Sequence, residues 1–197
     1  MSVPHLMVLS SVGDIDPYWD DVSLLIRGDT LTDLSGNHTI TNNGVTAGDK
    51  TYFKHSTSGS MSFDGGNDYL SLGNVDVLDI TAGDWTIEAW VRPQEFADWQ
   101  NIAGYGGGAG TWNATNGHQW LFFYGQTVAY FQFYDGSSVT FVTASHNMTL
   151  NTWHHIAATR KSGTIRLFID GSEIASSNTA PVVPSASNSM VIGAGPG

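Results

Sequence analysis

The chain of 197 residues has a net charge of −11 at pH 7, with 7 Lys and Arg against 18 Asp and Glu, and it contains no cysteine. So few basic residues cannot form the cationic stripe that a phosphate backbone requires, which argues against nucleic acid, and the missing thiols exclude disulfides and thiolate metal sites. The apolar stretch from His5 to Val12 has no Lys or Arg before it and is too short to span a bilayer, so no membrane partner is expected.

The N-terminal half predicts an arm followed by the first strands of one domain. We assign residues 1–21 to the arm and residues 22–197 to a single domain, because all-β sandwiches commonly reach about 200 residues as one unit. Leu70 and Leu72 alternate with Tyr69 and Ser71, which is the period of a strand with one buried face. The first strands are predicted at Val22–Ile26, His38–Asn42, Ser58–Phe63 and Asp68–Leu72.

The segment Asp84–Pro93 indicates two packed sheets. Its apolar residues recur at every second position from Trp85 to Val91, and Pro93 ends the pairing because it has no N–H group. A sheet with one apolar face needs a second sheet against it. Further strands are predicted at Asn101–Tyr105, Gln119–Tyr124, Val128–Tyr134 and Val139–Thr143.

The C-terminal part predicts consecutive hairpins. Ile165, Leu167 and Ile169 alternate with polar or aromatic residues, and the pairs Ser162-Gly163 and Asp170-Gly171 are two-residue turns of the kind that join antiparallel strands. A last strand is predicted at Met190–Gly193. Charged residues are only 13% of the chain and helical periodicity is absent. We therefore predict an all-β fold, a two-sheet antiparallel jelly-roll sandwich with little helix.

Four motifs resemble the signature of laminin-G-like, concanavalin A-like lectin jelly rolls, and they occur in the expected order. They are Asp33-Leu-Ser-Gly-Asn37, Met61-Ser-Phe-Asp-Gly-Gly-Asn-Asp-Tyr-Leu-Ser-Leu72, Asp84-Trp-Thr-Ile-Glu-Ala-Trp-Val-Arg-Pro93, and Trp153-His-His-Ile-Ala-Ala-Thr-Arg160 with Ile165-Arg-Leu-Phe-Ile-Asp-Gly171. The resemblance covers about Val22 to Gly193 and implies the fold. It implies no single function, because this fold carries lectins, adhesion modules, enzymes and virion parts.

The segment Asp16-Pro-Tyr-Trp-Asp-Asp-Val-Ser-Leu-Leu-Ile-Arg-Gly-Asp29 is similar to the start of such modules in tail fibres and capsid-decoration proteins of tailed bacteriophages. This resemblance implies a non-enzymatic virion structural protein, made in the host cytoplasm, that assembles with other virion subunits as a homo-oligomer and contacts host glycans. The alternative is a carbohydrate-binding lectin or adhesin module of a bacterium, extracellular or at the cell surface. A jelly-roll glycan hydrolase is the third hypothesis.

One departure from the family concerns its closing strand. The family usually ends with a strand carrying Gly-x-Ile-Asp after a Gly-rich link, whereas this sequence ends at Ala194-Gly-Pro-Gly197. We therefore expect the closing strand to be absent from residues 22–197. The apolar stretch Leu6–Leu9 or a neighbouring subunit could supply it by strand addition.

The candidate catalytic groups favour a structural role. His154 and His155 are adjacent on a predicted strand, so their side chains point to opposite faces and cannot chelate one ion together. Glycosidases on this fold pair carboxylates along one strand, but Glu88 has no second carboxylate after it on its face. We expect no enzymatic activity and no catalytic residues.

Carbohydrate binding has a stronger basis in the loops between Trp99 and Trp120. Sugar rings stack their C–H faces on aromatic rings, and amide groups bind the hydroxyls. The residues predicted to bind carbohydrate are Trp99, Tyr105, Trp112, Asn113, Asn116 and Trp120. Two alternatives remain for the same rings: that they cap the ends of the sandwich, or that they form an intersubunit contact.

Calcium is the one metal that the sequence suggests, and no other cofactor is expected. The turns Asp33-Leu-Ser-Gly-Asn37 and Asp64-Gly-Gly-Asn-Asp68 offer carboxylate, amide and carbonyl oxygens, with Asp33, Asn37, Asp64 and Asp68 as the predicted ligands. The same residues are also typical of tight turns without metal.

Overall fold

The structure is a computed structural model that describes residues 18–49, 59–74, 80, 82–106, 120–134, 137–179, 181 and 189–193. Within these residues the only helical element is a single 3-10 turn, Trp19–Asp21. In the same part of the chain no helix is long and apolar enough to cross a membrane. Little helix was predicted, and this is confirmed. Most of the predicted N-terminal arm, including Leu6–Leu9, and the chain end at 194–197 lie outside the described residues.

Thirteen strands account for most of the described chain. In chain order they are β1 (Thr41–Asn43), β2 (Thr46–Asp49), β3 (Ser60–Ser62), β4 (Tyr69–Asn74), β5 (Trp85–Val91), β6 (Gln100–Gly106), β7 (Trp120–Tyr124), β8 (Val128–Tyr134), β9 (Val139–Ser145), β10 (His154–Lys161), β11 (Thr164–Ile169), β12 (Ser172–Ser177) and β13 (Ser189–Ile192).

The strands form an antiparallel sandwich. One sheet has seven strands in the order β1-β4-β13-β6-β7-β8-β9, the other has four in the order β12-β11-β10-β5, and β2 and β3 form a separate pair. Every pairing is antiparallel. The predicted fold class, an all-β two-sheet jelly-roll sandwich, is confirmed.

The two predicted C-terminal turns are present. Ser162 and Gly163 have φ of 51° and 84°, and Asp170 and Gly171 have φ of 49° and 79°. Two successive positive φ values are typical of the type I′ turn, whose twist matches that of the strands it joins. The turns fix the register of β10, β11 and β12, with Lys161 opposite Thr164 and Ile169 opposite Ser172.

The core lies between the two sheets and is rich in aromatic rings. Alternate residues of β8, such as Phe131 and Phe133, are buried, and Ile165 and Leu167 of β11 are buried from the opposite sheet. Phe131 meets the indole of Trp85 across the core with ring centroids 5.3 Å apart. Complete burial of one such side chain contributes roughly 1.5–3 kcal/mol to stability.

One predicted strand is wrong. Val22 and Leu25 are buried, but Val22–Ile26 forms no strand, and only Ile26 makes an isolated bridge, to Asp33. The reason is local hydrogen bonding: the N–H of Leu25 donates to the Asp33 carboxylate at 3.0 Å, and its carbonyl accepts the N–H of Leu34 at 2.8 Å. These bonds use the backbone groups that a sheet neighbour would otherwise pair.

Candidate functional site

Four aromatic rings form a continuous row on the outer side of the seven-stranded sheet, and we call them the aromatic face: Trp99, Phe123, Tyr130 and Phe141. Trp99 stacks on Phe123 with ring centroids 5.0 Å apart, Phe123 stacks on Tyr130 at 4.6 Å, and Phe141 meets Tyr130 edge-on at 6.2 Å. Phe123 is 1% exposed and forms the floor, whereas Trp99 is 52% and Phe141 is 44% exposed. The row therefore offers an accessible ring at each end.

Strand geometry places these rings away from the core. Phe122, Phe131 and Val142 point into the core, and successive side chains of a strand point to opposite faces. Their sequence neighbours Phe123, Tyr130 and Phe141 consequently point outward. Cross-strand register then brings the rings together, since Phe123 lies directly opposite Tyr130.

Trp99 is held in an unusual backbone conformation. Its φ is +63°, in the left-handed region that residues other than Gly, Asn and Asp rarely adopt. This backbone conformation costs roughly 1–2 kcal/mol. The Nδ2 group of Asn101 donates a hydrogen bond to the Trp99 carbonyl at 3.0 Å, and the ring rests on Phe123. An exposed aromatic residue kept in a strained conformation is more typical of a functional site than of a scaffold position.

The strands of the sheet that carries the aromatic face have no charged side chains. None of its seven strands contains Asp, Glu, Lys or Arg. The four-stranded sheet does contain them, for example Glu88 in β5, Arg166 in β11 and Glu173 in β12. The charged strand residues of this protein, whose net charge is −11, therefore lie outside the seven-stranded sheet.

The carbohydrate-binding residues predicted from the sequence have different locations. Trp99 belongs to the aromatic face. Tyr105 and Trp120 are 3% and 2% exposed and stack on each other in the core at 6.5 Å, so the prediction is wrong for these two, because their strands turn them inward. Trp112, Asn113 and Asn116 lie outside the described residues. The sequence reasoning missed Phe123, Tyr130 and Phe141, which come together only through strand register.

Residues 64–197 match the laminin G-like family model described as the concanavalin A-like lectin/glucanases superfamily. The chain belongs to this superfamily. The predicted family resemblance is thereby confirmed at the level of fold. The sequence has no significant match among curated proteins.

Solved structures similar to this superfamily member include a neurotoxin binding domain and a domain of an arabinanase. The binding domain of botulinum neurotoxin DC, solved in complex with SialylT, is 13% identical with a TM-score of 0.61, over 88% of this chain and 43% of that chain. Domain 4 of AbnA, a GH43 extracellular arabinanase from Geobacillus stearothermophilus, was solved with arabinotriose and is 17% identical with a TM-score of 0.55, over 90% and 81% of the two chains. Identities this low show a shared fold alone.

The chain spans less than half of the neurotoxin domain it matches, so that domain's activity does not transfer as a whole. The full-length tailspike protein 2 of Escherichia coli O157:H7 bacteriophage CAB120 reaches a TM-score of only 0.44 at 17% identity, over 66% of this chain and 20% of that chain. Nothing about a biological setting follows from similarity at that level.

A second group of polar residues lies at the start of β10 in the concanavalin A-like domain. The Nδ1 atom of His154 is 2.7 Å from Asp170 Oδ2, and its Nε2 atom accepts the backbone N–H of Thr149 at 2.9 Å. The other Asp170 oxygen accepts the N–H of His155 at 2.9 Å. Since Nε2 accepts an N–H, the ring proton lies on Nδ1 and is donated to Asp170.

This arrangement resembles a Thr-His-Asp triad but lacks its chemistry. Thr149 Oγ1 is 3.4 Å from His154 Nε2, yet the lone pair of Nε2 already binds the backbone N–H of the same residue. A general base needs that lone pair for the hydroxyl proton. Burial would raise the pKa of Asp170, but the hydrogen bonds from the His154 ring and from the backbone N–H of His155 outweigh it and lower that pKa. The group therefore joins the β11–β12 turn to β10.

His155 and Glu88 pair on the outer side of the four-stranded sheet. His155 Nε2 is 3.2 Å from Glu88 Oε2, and the imidazole packs against Trp90 with ring centroids 5.2 Å apart. His154, in contrast, is buried. The prediction that the two histidines point to opposite faces is confirmed.

Hydrogen bonds from the protein occupy both carboxylate oxygens of Asp33, the first predicted calcium ligand. Oδ1 of Asp33 accepts the N–H groups of Leu25 and Ser35, and Oδ2 accepts those of Asn37 and His38, all at 2.9–3.1 Å. The Ser35 hydroxyl adds bonds to both oxygens. Burial would raise the pKa of Asp33, but these hydrogen bonds outweigh it and lower that pKa. A Ca²⁺ ion, which takes 6–8 oxygen ligands, would have to displace these donors.

The second predicted calcium turn is also formed by hydrogen bonds. Asp64 Oδ1 accepts the N–H of Gly66 at 2.7 Å, and Asp68 Oδ2 accepts the N–H of Asp64 at 3.0 Å. Over the described ranges, no three or more His, Asp or Glu side chains are grouped so that they could hold a metal ion. Turn formation explains both segments, and calcium binding stays a prediction.

Proposed function

We propose that the chain is a non-enzymatic glycan-binding module and that the aromatic face is its binding surface. The observation that carries the proposal is the row of four adjoining rings, with Trp99 and Phe141 exposed at its ends. A sugar ring stacks its C–H face on such rings, and the Gln132 amide can bind its hydroxyl groups. The Thr143 hydroxyl donates to the Ala129 carbonyl at 3.0 Å and can accept a hydrogen bond from a sugar hydroxyl. The lectin-like fold and the arabinotriose bound to the AbnA domain support this proposal.

The absence of catalysis is part of the proposal. Glycosidases need two carboxylates on either side of the scissile bond, roughly 5–9.5 Å apart. The strands of the aromatic face carry no carboxylate, and Glu88 is paired with His155 on the other sheet. Binding without turnover is the activity that such a surface supports.

The setting that we propose is a virion, with the chain as a capsid decoration or tail-fibre module among other virion subunits. The supporting observation is the similarity of Asp16–Asp29 to the start of such modules in tailed bacteriophages. Glycan binding would then attach the particle to a host surface. The alternative is a lectin or adhesin module of a bacterium, which would use the same aromatic face outside or on the cell.

Replacing Trp99 by asparagine is expected to weaken glycan binding by about 30-fold or more, which is the loss typical of a central tryptophan in a binding surface. Stability should be preserved, because asparagine tolerates the positive φ at this position better than tryptophan does. A glycan array identifies the ligand, and titration calorimetry with the best glycan compares the two proteins.

Trp90→Ala is the matched control. Trp90 is the exposed tryptophan of the opposite sheet, 38% exposed, and its removal should leave glycan affinity within about twofold. Equal loss from both substitutions would remove the aromatic face from the proposal. A folded wild-type protein that binds nothing on a broad array would overturn the glycan-binding function itself.

Two measurements separate the virion role from the free lectin. We expect the purified protein to form a symmetric oligomer by native mass spectrometry, and electron microscopy of the source particles to show it around an axis. A monomer that binds the array and is missing from any particle would favour the bacterial lectin instead.

A further inference from the structure

The aromatic face runs across the strands and not along one of them. Trp99 directly precedes β6, and Phe123, Tyr130 and Phe141 belong to β7, β8 and β9 in turn. Neighbouring strands are about 4.8 Å apart, so the row covers roughly 14 Å from one end to the other. This length exceeds that of one sugar ring, which covers about one aromatic ring.

Exposure along the row indicates where a ligand can make contact. The floor residue Phe123 is almost inaccessible, Tyr130 is half-buried, and the two most exposed rings are those at the ends, Trp99 and Phe141. A single sugar could cover only one of the exposed ends. A ligand that covers both must contain several sugar units in an extended chain.

The composition of the aromatic face and its sheet disfavours charged ligands. None of the seven strands of this sheet has an Asp, Glu, Lys or Arg. The polar residues opposite the rings in the strand register are uncharged: Asn101 opposite Phe123, Gln132 opposite Phe141 and Thr143 opposite Tyr130. A glycan with carboxylates or sulfates would find no cation in these strands. It would also approach a protein of net charge −11, which repels it.

From these observations we infer that the ligand is a neutral, unbranched polysaccharide bound along an internal stretch of about three units, from Trp99 to Phe141. The inference rests on the glycan-binding function proposed above and adds the class of glycan, its length and its direction across β6–β9. Trp99 anchors one end of the bound stretch, and Phe141 makes contact only when the chain is long enough to reach it.

The test titrates the full chain with one neutral polysaccharide that the array selects, with its mono-, di-, tri- and tetrasaccharides, and with an anionic polymer such as polygalacturonate. Affinity is expected to rise by about tenfold or more between the disaccharide and the tetrasaccharide, because the second exposed ring becomes reachable. Blocking the reducing end should change nothing, and the anionic polymer should not bind.

Two variants locate the second contact. Phe141→Ala should reduce tetrasaccharide affinity to near that of the disaccharide, so that the rise of affinity with chain length disappears. Phe168→Ala, a half-buried phenylalanine of the opposite sheet, is the control and should leave the length dependence intact.

Several outcomes would overturn this inference without touching glycan binding itself: tightest binding to a terminal monosaccharide, preference for the anionic polymer, or a length dependence that survives Phe141→Ala. A concentration-dependent dimer that Trp99→Asn abolishes would assign the face to a second copy and overturn it as well. The glycan-binding proposal fails separately, when no glycan binds through Trp99.

Discussion

Replacing Phe131 by alanine is expected to lower the free energy of unfolding by about 3–5 kcal/mol. Phe131 is fully buried, and its ring contacts Trp85 of the opposite sheet as well as Trp120, Phe122 and Phe133 of its own. Removing the ring leaves a cavity between the two sheets that their strands cannot close. Chemical denaturation followed by tryptophan fluorescence measures the loss.

Phe141→Ala provides the control for the same chemical change. It lies on the next strand but outside the core and is 44% exposed, so its loss of stability should stay below about 1 kcal/mol. Phe131→Leu, which keeps most of the volume, should lose less than Phe131→Ala and remain measurable if the alanine variant does not fold. Similar losses at positions 131 and 141 would contradict the position of the core between the sheets.

Asp170→Asn is expected to lower the free energy of unfolding by about 1–3 kcal/mol at pH 7. The carboxylate accepts both the Nδ1–H of His154 and the N–H of His155, whereas an amide has only one oxygen. The His154 proton cannot move to Nε2, which binds the N–H of Thr149. Either the Nδ1–H of His154 or the N–H of His155 therefore faces the NH₂ group of the asparagine instead of an acceptor. The turn itself should persist, since asparagine suits the positive φ of this position.

The pH dependence of this variant gives a second readout. The pKa of Asp170 in the folded state is lowered from its ordinary value of 3.8. Its stabilising contribution is therefore present above that ordinary value and is lost as the pH falls through the folded pKa. Between pH 5 and pH 2 the wild-type protein should lose more stability than Asp170→Asn.

Glu173→Gln is the matched control for Asp170→Asn. Its carboxylate is 3.4 Å from Arg166 Nε and is largely exposed, and surface pairs of this kind contribute about 0–1 kcal/mol. Equal effects of the two substitutions, or parallel pH profiles of Asp170→Asn and the wild-type protein, would contradict the role of Asp170 as a joint between the hairpin turn and β10.

The strands that the sequence predicts well are those whose backbone partners lie close along the chain. In the hairpins of β10, β11 and β12, the Ser162-Gly163 and Asp170-Gly171 turns and the alternation of Ile165, Leu167 and Ile169 determine both the strands and their register. Val22–Ile26 is the counterexample. Its composition predicts a strand, but a single carboxylate eight residues away, that of Asp33, binds its backbone.

The candidate site was harder to predict, because its members meet across strands. Phe123 and Tyr130 are seven residues apart in sequence and Trp99 is far from both, and only the register of β7 and β8 stacks them. Tyr105 and Trp120 illustrate the opposite error. An aromatic residue at a strand end looks the same in sequence whether its ring points to solvent or to the second sheet, and the second sheet is formed by distant residues.

The absence of charged side chains from the strands of the seven-stranded sheet affects how binding responds to salt concentration. A neutral ligand on a sheet whose strands carry no charged side chain displaces no counterions, and its encounter receives no long-range attraction, so association proceeds at roughly 10⁵–10⁶ M⁻¹s⁻¹. Glycan affinity at the aromatic face should consequently be nearly the same at low and at high salt concentration. A surface of this kind holds its ligand equally well at any ionic strength, whereas binding based on charge weakens as salt increases.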